Sequence, residues 1–97
     1  MTNEEIIRQA ALDNGVLTEM QIVEFMDNGE DIPLHTLQGW AERGRRKGLH
    51  YKVRKGEHGI KVMLWKKKKS PNNETEFYRT AAYLFTDKQI EIVNDET

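Results

Sequence analysis

The stretch Leu49-His50-Tyr51-Lys52-Val53-Arg54-Lys55-Gly56-Glu57-His58-Gly59-Ile60-Lys61-Val62-Met63-Leu64-Trp65 decides the fold. Leu49, Tyr51 and Val53 alternate with His50, Lys52 and Arg54. Ile60, Val62 and Leu64 alternate with Lys61, Met63 and Trp65. Successive side chains of a strand point to opposite faces, so a period of two marks a strand with one face buried. Residues 55–59 carry two glycines and read as a turn. The two runs are therefore expected as a β-hairpin with a five-residue connection.

Upstream of this stretch the period is 3.6. Thr2 with Glu5 and Thr18 with Gln21 form capping boxes, in which a hydroxyl and a carboxyl or amide each satisfy a backbone N–H at a helix start. Ile6, Ala10 and Leu12 mark the first helix, and Gly15 stops it. Met20, Ile22 or Val23, and Met26 mark the second, and Asn28-Gly29 ends it. Pro33 presets a third helix from about Leu34 to Arg46, with Leu34, Leu37, Trp40 and Ala41 at helical spacing and Gly48 just past its end.

Downstream, Ser70-Pro71-Asn72-Asn73 reads as a loop, and residues 76–85 read as a third strand. A third capping box, Thr86 to Gln89, is expected to open a short helix through Val93. The expectation is one α+β domain over residues 1–97. It has N-terminal helices, a three-stranded antiparallel sheet with a β-hairpin, and a short C-terminal helix. Residues 1–33 form an acidic helical segment, 34–93 a basic helix-hairpin-strand-helix unit, and 94–97 a polar tail.

The net charge of −1 conceals segregation. Residues 1–33 hold eight acids against Arg8, a net of −7. Residues 34–69 hold twelve of the fifteen bases against Glu42 and Glu57, a net of +10. Residues 70–97 carry a net of −4. A basic block of this density points to a polyanion. The competing reading is internal, with the acidic segment lying over the basic one. Cysteine is absent, which excludes disulfides and thiolate metal sites and fits a cytoplasmic protein. No run of 18 apolar residues is present, and the first residues have neither the basic start nor the apolar stretch of a signal peptide. No membrane partner is expected.

If Leu49, Tyr51, Val53, Ile60, Val62 and Leu64 face the core, then Lys52, Arg54, Lys61, Met63 and Trp65 share the other face. The third strand adds either Phe77, Arg79 and Tyr83 or Tyr78 and Leu84. Cations beside flat rings suit single-stranded nucleic acid, whose phosphates meet Lys and Arg and whose open bases stack on rings. The candidate binding residues are Arg45, Arg46, Lys47, Lys52, Arg54, Lys55, Lys61, Trp65, Lys66, Arg79 and Tyr83. Arg45, Arg46 and Lys47 crowd the end of the third helix, where the dipole favours cations. Lys55 lies in the glycine-bearing turn, and Lys66 opens a run of four lysines that adds phosphate affinity. No nucleophile, P-loop, dinucleotide or HExxH pattern is present among His35, His50, His58 and the rest, so no enzyme, metal or cofactor is expected.

His35-Thr36-Leu37-Gln38-Gly39-Trp40, the segment Tyr51 to Val62, Leu64-Trp65-Lys66 and Tyr83-Leu84-Phe85-Thr86-Asp87-Lys88-Gln89 together resemble the ArdC-type antirestriction family. The similarity covers roughly residues 35–91 and falls on that family's N-terminal single-stranded-DNA-binding domain. It implies single-stranded DNA as partner, with RNA the other candidate, in a protein of a phage or other mobile element. The zinc metallopeptidase domain of full-length members lies outside the resemblance. A winged helix-turn-helix is the rival reading, since residues 18–26, a turn, residues 34–47 and a hairpin would satisfy that order. Its weakness is that the cations sit at the C-terminal end of the recognition helix. A protein-interaction module using the acidic helices is the third.

Overall fold

The first two of the three expected capping boxes open helices. In α1 (Asn3–Asp13) the Thr2 hydroxyl accepts from the Glu5 amide. In α2 (Glu19–Asp27) the Thr18 hydroxyl accepts from the Gln21 amide, and the Gln21 side chain accepts from Thr18 N–H. The computed structural model describes residues 1–93, and the polar tail expected at 94–97 lies outside the described residues.

The next element departs from expectation. Leu34–Thr36 is a short strand, β1, and α3 (Leu37–Arg46) starts three residues later than the Pro33 signal suggested. Two interactions explain the shift. Residues 34–36 pair antiparallel with residues 86–84 of β4 (Thr75–Thr86), and the Thr36 hydroxyl caps α3 by accepting from Gly39 N–H at 3.1 Å.

β2 (His50–Val53) and β3 (Ile60–Lys69) form where the alternation placed them, but not with each other. β3 pairs with β4 in register from Ile60↔Leu84 to Lys69↔Thr75, giving a three-stranded antiparallel sheet in the order β1-β4-β3. β2 pairs with β5 (Ile90–Val93) in a separate two-stranded sheet. The hairpin thus lies one element later than expected, closed by the 70–74 turn in which Ser70 N–H donates to Glu74 O at 2.9 Å. The 54–59 connection instead carries the chain between sheets. The Gln89 side chain holds it, donating to Glu57 Oε2 and to the His58 carbonyl at 3.1 and 2.9 Å. Alternation fixes a strand's faces but not its partner.

The short C-terminal helix is a single 3-10 turn, Asp87–Gln89, followed by β5. The Gln89 side chain accepts from Thr86 N–H at 2.9 Å, so the capping signal closes one turn only. The apolar residues Ile90 and Val93 then continue as strand, paired with Val53 and His50. The α+β class stands as expected, but the three-stranded antiparallel sheet contains β1 where β2 was expected, and β2 belongs to the second sheet.

The main core lies between the helices and one face of the larger sheet. Ala10, Ala11, Ile22, Ile32, Leu34 and Leu84 are buried together, with Phe25, Ile60 and Val62 against them. Leu34 and Leu84 are fully enclosed, and truncating such a leucine to alanine costs about 2–5 kcal/mol. A second cluster joins α3 to β2. The buried Trp40 indole donates to the Phe85 carbonyl at 2.9 Å and meets the rings of His35 and Tyr51 edge-on. Gly44 of α3 permits this approach: a Cβ there would fall 2.6 Å from the Leu49 carbonyl oxygen and 3.0 Å from the Tyr51 ring. Gly44→Ala is therefore expected to lower unfolding stability by roughly 1–3 kcal/mol, measured by urea denaturation. An unchanged midpoint would mean that α3 and β2 are not packed this closely.

Candidate functional site

The β3–β4 register sorts side chains onto two faces. Ile60, Val62, Leu64, Ala82 and Leu84 share the face turned to the helices. Lys61 opposite Tyr83, Met63 opposite Ala81, Trp65 opposite Arg79, and Lys67 opposite Phe77 form successive rows on the other. Met63 is 41% exposed, Trp65 40%, Tyr83 52% and Phe77 60%. Rings of this size left open on one sheet face need a reason other than folding. Of the two phases open to the third strand, the register selects the one carrying Phe77, Arg79 and Tyr83.

Cations interleave with the rings. The Arg79 guanidinium lies 5.4 Å from the Trp65 ring centroid, and the Lys67 ammonium 5.9 Å from that of Phe77. Both are within cation–π range. Beyond Leu64 and Thr80 the hairpin continues as a two-stranded arm whose residues 66–69 and 75–78 are all exposed. Lys66 belongs to this arm, on the face opposite Trp65 and across from Tyr78. The outer edge of β3 is closed at one point. Asn3 of α1 accepts from Trp65 N–H at 2.8 Å and donates to Trp65 O at 3.0 Å, standing in for a neighbouring strand and fixing the backbone that carries the indole.

The remaining candidates fall elsewhere. Lys52 is on β2 and Arg54 is the first residue past it, beside the other sheet, so they do not share a sheet face with Lys61 and Trp65. Both reach Glu91 of β5, at 3.2 and 3.4 Å, and Arg54 also donates to the Lys88 carbonyl at 3.2 Å. Exposed pairs of this kind contribute only about 0–1 kcal/mol. Lys55 is exposed in the 54–59 connection, and Arg45, Arg46 and Lys47 are exposed at the end of α3. That connection borders the ring-bearing face, because Gly59 abuts Tyr83 and Phe85: a Cβ there would lie 2.8 Å from Tyr83 Cβ.

Lys67 is the residue the sequence reading left off this face, and Phe77, which one of the two phases of the third strand put there, was not named among the binding residues. The signal for Lys67 was present, since alternation from Trp65 runs on to it, but it was hidden inside the lysine run. The acidic helices do not cover the ring-bearing face, because their apolar sides pack on the residues of the opposite one. Among the described residues no group of three His, Asp or Glu side chains converges as a metal site.

His35 neighbours this face through its pairing with Phe85, but it adds no charge. Burial against Trp40, with the Arg43 guanidinium nearby, lowers its pKa from 6.5 to about 4. The unfolded chain therefore binds a proton at a higher pH than the native one. Stability is expected to fall as pH drops from 6.5 to 4 and to level off below. His35→Gln should flatten that portion of a pH series of urea midpoints, and an unaltered slope would contradict a buried neutral imidazole.

No protein-family model, curated protein or solved structure matches this chain.

Proposed function

We propose that the protein binds single-stranded nucleic acid, DNA in the first instance, along the outer face of β3 and β4. The observation that carries this reading is the row of exposed rings, Tyr83, Trp65 and Phe77, with Lys61, Arg79 and Lys67 set among them. Only an unpaired strand offers base faces to such rings, and its phosphates supply the charge that the cations lack. Rows on a strand repeat every two residues, about 6.7 Å. The rings occupy the first, third and fourth rows, a span of about 20 Å that suits roughly four nucleotides. The role is binding rather than catalysis, and the absence of cysteine favours a cytoplasmic setting.

Two features favour this reading over a winged helix-turn-helix. Strand β1 stands between α2 and α3, where that motif has a short turn, and β2 pairs with β5 instead of forming a wing with β3.

Oligothymidylates of two to twelve nucleotides test the proposal by tryptophan fluorescence. Trp40 is buried, so quenching should come from Trp65 and vanish in Trp65→Phe. Affinity should climb steeply to about four nucleotides and slowly thereafter. Trp65→Ala should cost about 1–3 kcal/mol of binding, as removal of one stacking ring does. Engagement of Lys61, Lys67 and Arg79, with Lys69 one row further along the same face, would give a log–log salt slope of about −3. Equal affinity for a duplex of mixed sequence, or no binding at low salt, would overturn it.

A further inference from the structure

We infer that the outward side of α2 is a docking surface for a cationic amphipathic helix of a partner protein. α2 has nine residues and is apolar on two sides. Ile22 is buried and Phe25 packs against the core, which accounts for one side. Met20, Val23 and Met26 account for the other, at 73%, 53% and 54% exposure. A helix this short in a 97-residue domain has no folding reason to present three large apolar side chains to water.

The patch continues into a groove between α1 and α2, lined by Met1, Leu12, Val23 and Met26 with Glu5 and Arg8 at its margin. Met1 is itself 71% exposed. Three of the four exposed side chains are methionines, whose unbranched thioethers repack around different apolar anchors.

Charge selects the occupant. Glu19, Glu24 and Asp27 lie on α2 itself and Glu5 borders the groove, while Arg8 is the one base in residues 1–33. An apolar strip with acids set along and beside it complements a helix whose apolar stripe is flanked by Lys and Arg, and it repels an acidic one. α2 packs on the side of the sheet opposite the face proposed for nucleic acid, and Met1 at the end of the groove borders both, lining a cleft with Lys61, Met63 and Arg79. Occupancy of the α2 surface does not depend on that proposal.

The test uses the full chain and three labelled peptides of one length, read by fluorescence anisotropy. One is an amphipathic Leu/Lys helix, one a Lys/Ser peptide of equal charge without an apolar stripe, and one a Leu/Glu helix. The Leu/Lys helix alone should bind. Met20→Ser, Val23→Ser and Met26→Ser together should weaken it at least tenfold while leaving the melting temperature and oligothymidylate affinity unchanged. Val23→Lys is the substitute if that triple variant does not fold, and it should weaken the Leu/Lys helix as strongly. Glu19→Gln with Glu24→Gln should weaken it several-fold. Equal binding of the Lys/Ser peptide would overturn the inference, as would indifference to the α2 substitutions. So would sedimentation showing that the chain associates with itself through Met20, Val23 and Met26, which would make a second copy the occupant.

Discussion

The pairing of β3 with β4 is the constraint on which the rest depends. Ten residues of each strand are matched from Ile60↔Leu84 to Lys69↔Thr75. A slip of one residue in β4 would exchange its faces, sending Leu84 to solvent and Tyr83 to the core. The apolar set Leu34, Leu84, Ile60 and Val62 forbids that slip by burying itself under α1 and α2. With the register locked, the opposite set, Lys61, Trp65, Phe77, Arg79 and Tyr83, is turned outward. The open face is thus a consequence of the core rather than an independent feature. Asn3 completes the arrangement by holding the Trp65 backbone at the sheet edge.

Much of this was legible in the sequence because it is local. The capping boxes at Thr2 and Thr18, the faces of Ile60 to Trp65 and the loop at Ser70 follow from neighbours a few residues apart. What was not legible is long-range. A run such as His50–Val53 states its two faces and says nothing about whether its partner is β3 or β5. That choice rests on contacts between distant residues, among them Arg54 N–H donating to the Gln89 carbonyl at 2.8 Å and the approach of Lys52 and Arg54 to Glu91. The same holds at Pro33. A proline there suits a helix start, but pairing of Leu34–Thr36 with β4 outweighs it. Lys52 and Arg54 left the ring-bearing face for this reason, Lys67 joined it because the ladder with β4 continues past Trp65, and the same register selected the phase that carries Phe77.

The charge segregation has a spatial counterpart. Residues 1–33, with their excess of acids, pack under one face of the sheet, and Lys61, Lys67 and Arg79 share the other with the rings. Asp31 pairs with Arg43 across the two segments, but Lys61, Lys67 and Arg79 lie on the face away from the acidic helices, where a polyanion could meet them. On the two proposals made above, this segregation would also give the two sides opposite preferences, one for phosphates and bases and one for a basic apolar helix.

Mapping a titration of the labelled protein with a short oligothymidylate by two-dimensional amide NMR tests the central claim most directly. The account predicts the largest shifts at the Trp65 indole and at the amides of Lys61, Met63, Trp65, Phe77, Arg79 and Tyr83, with α2 silent. Shifts centred on Lys52, Arg54 and Arg45 to Lys47, with the Trp65 indole unmoved, would contradict it.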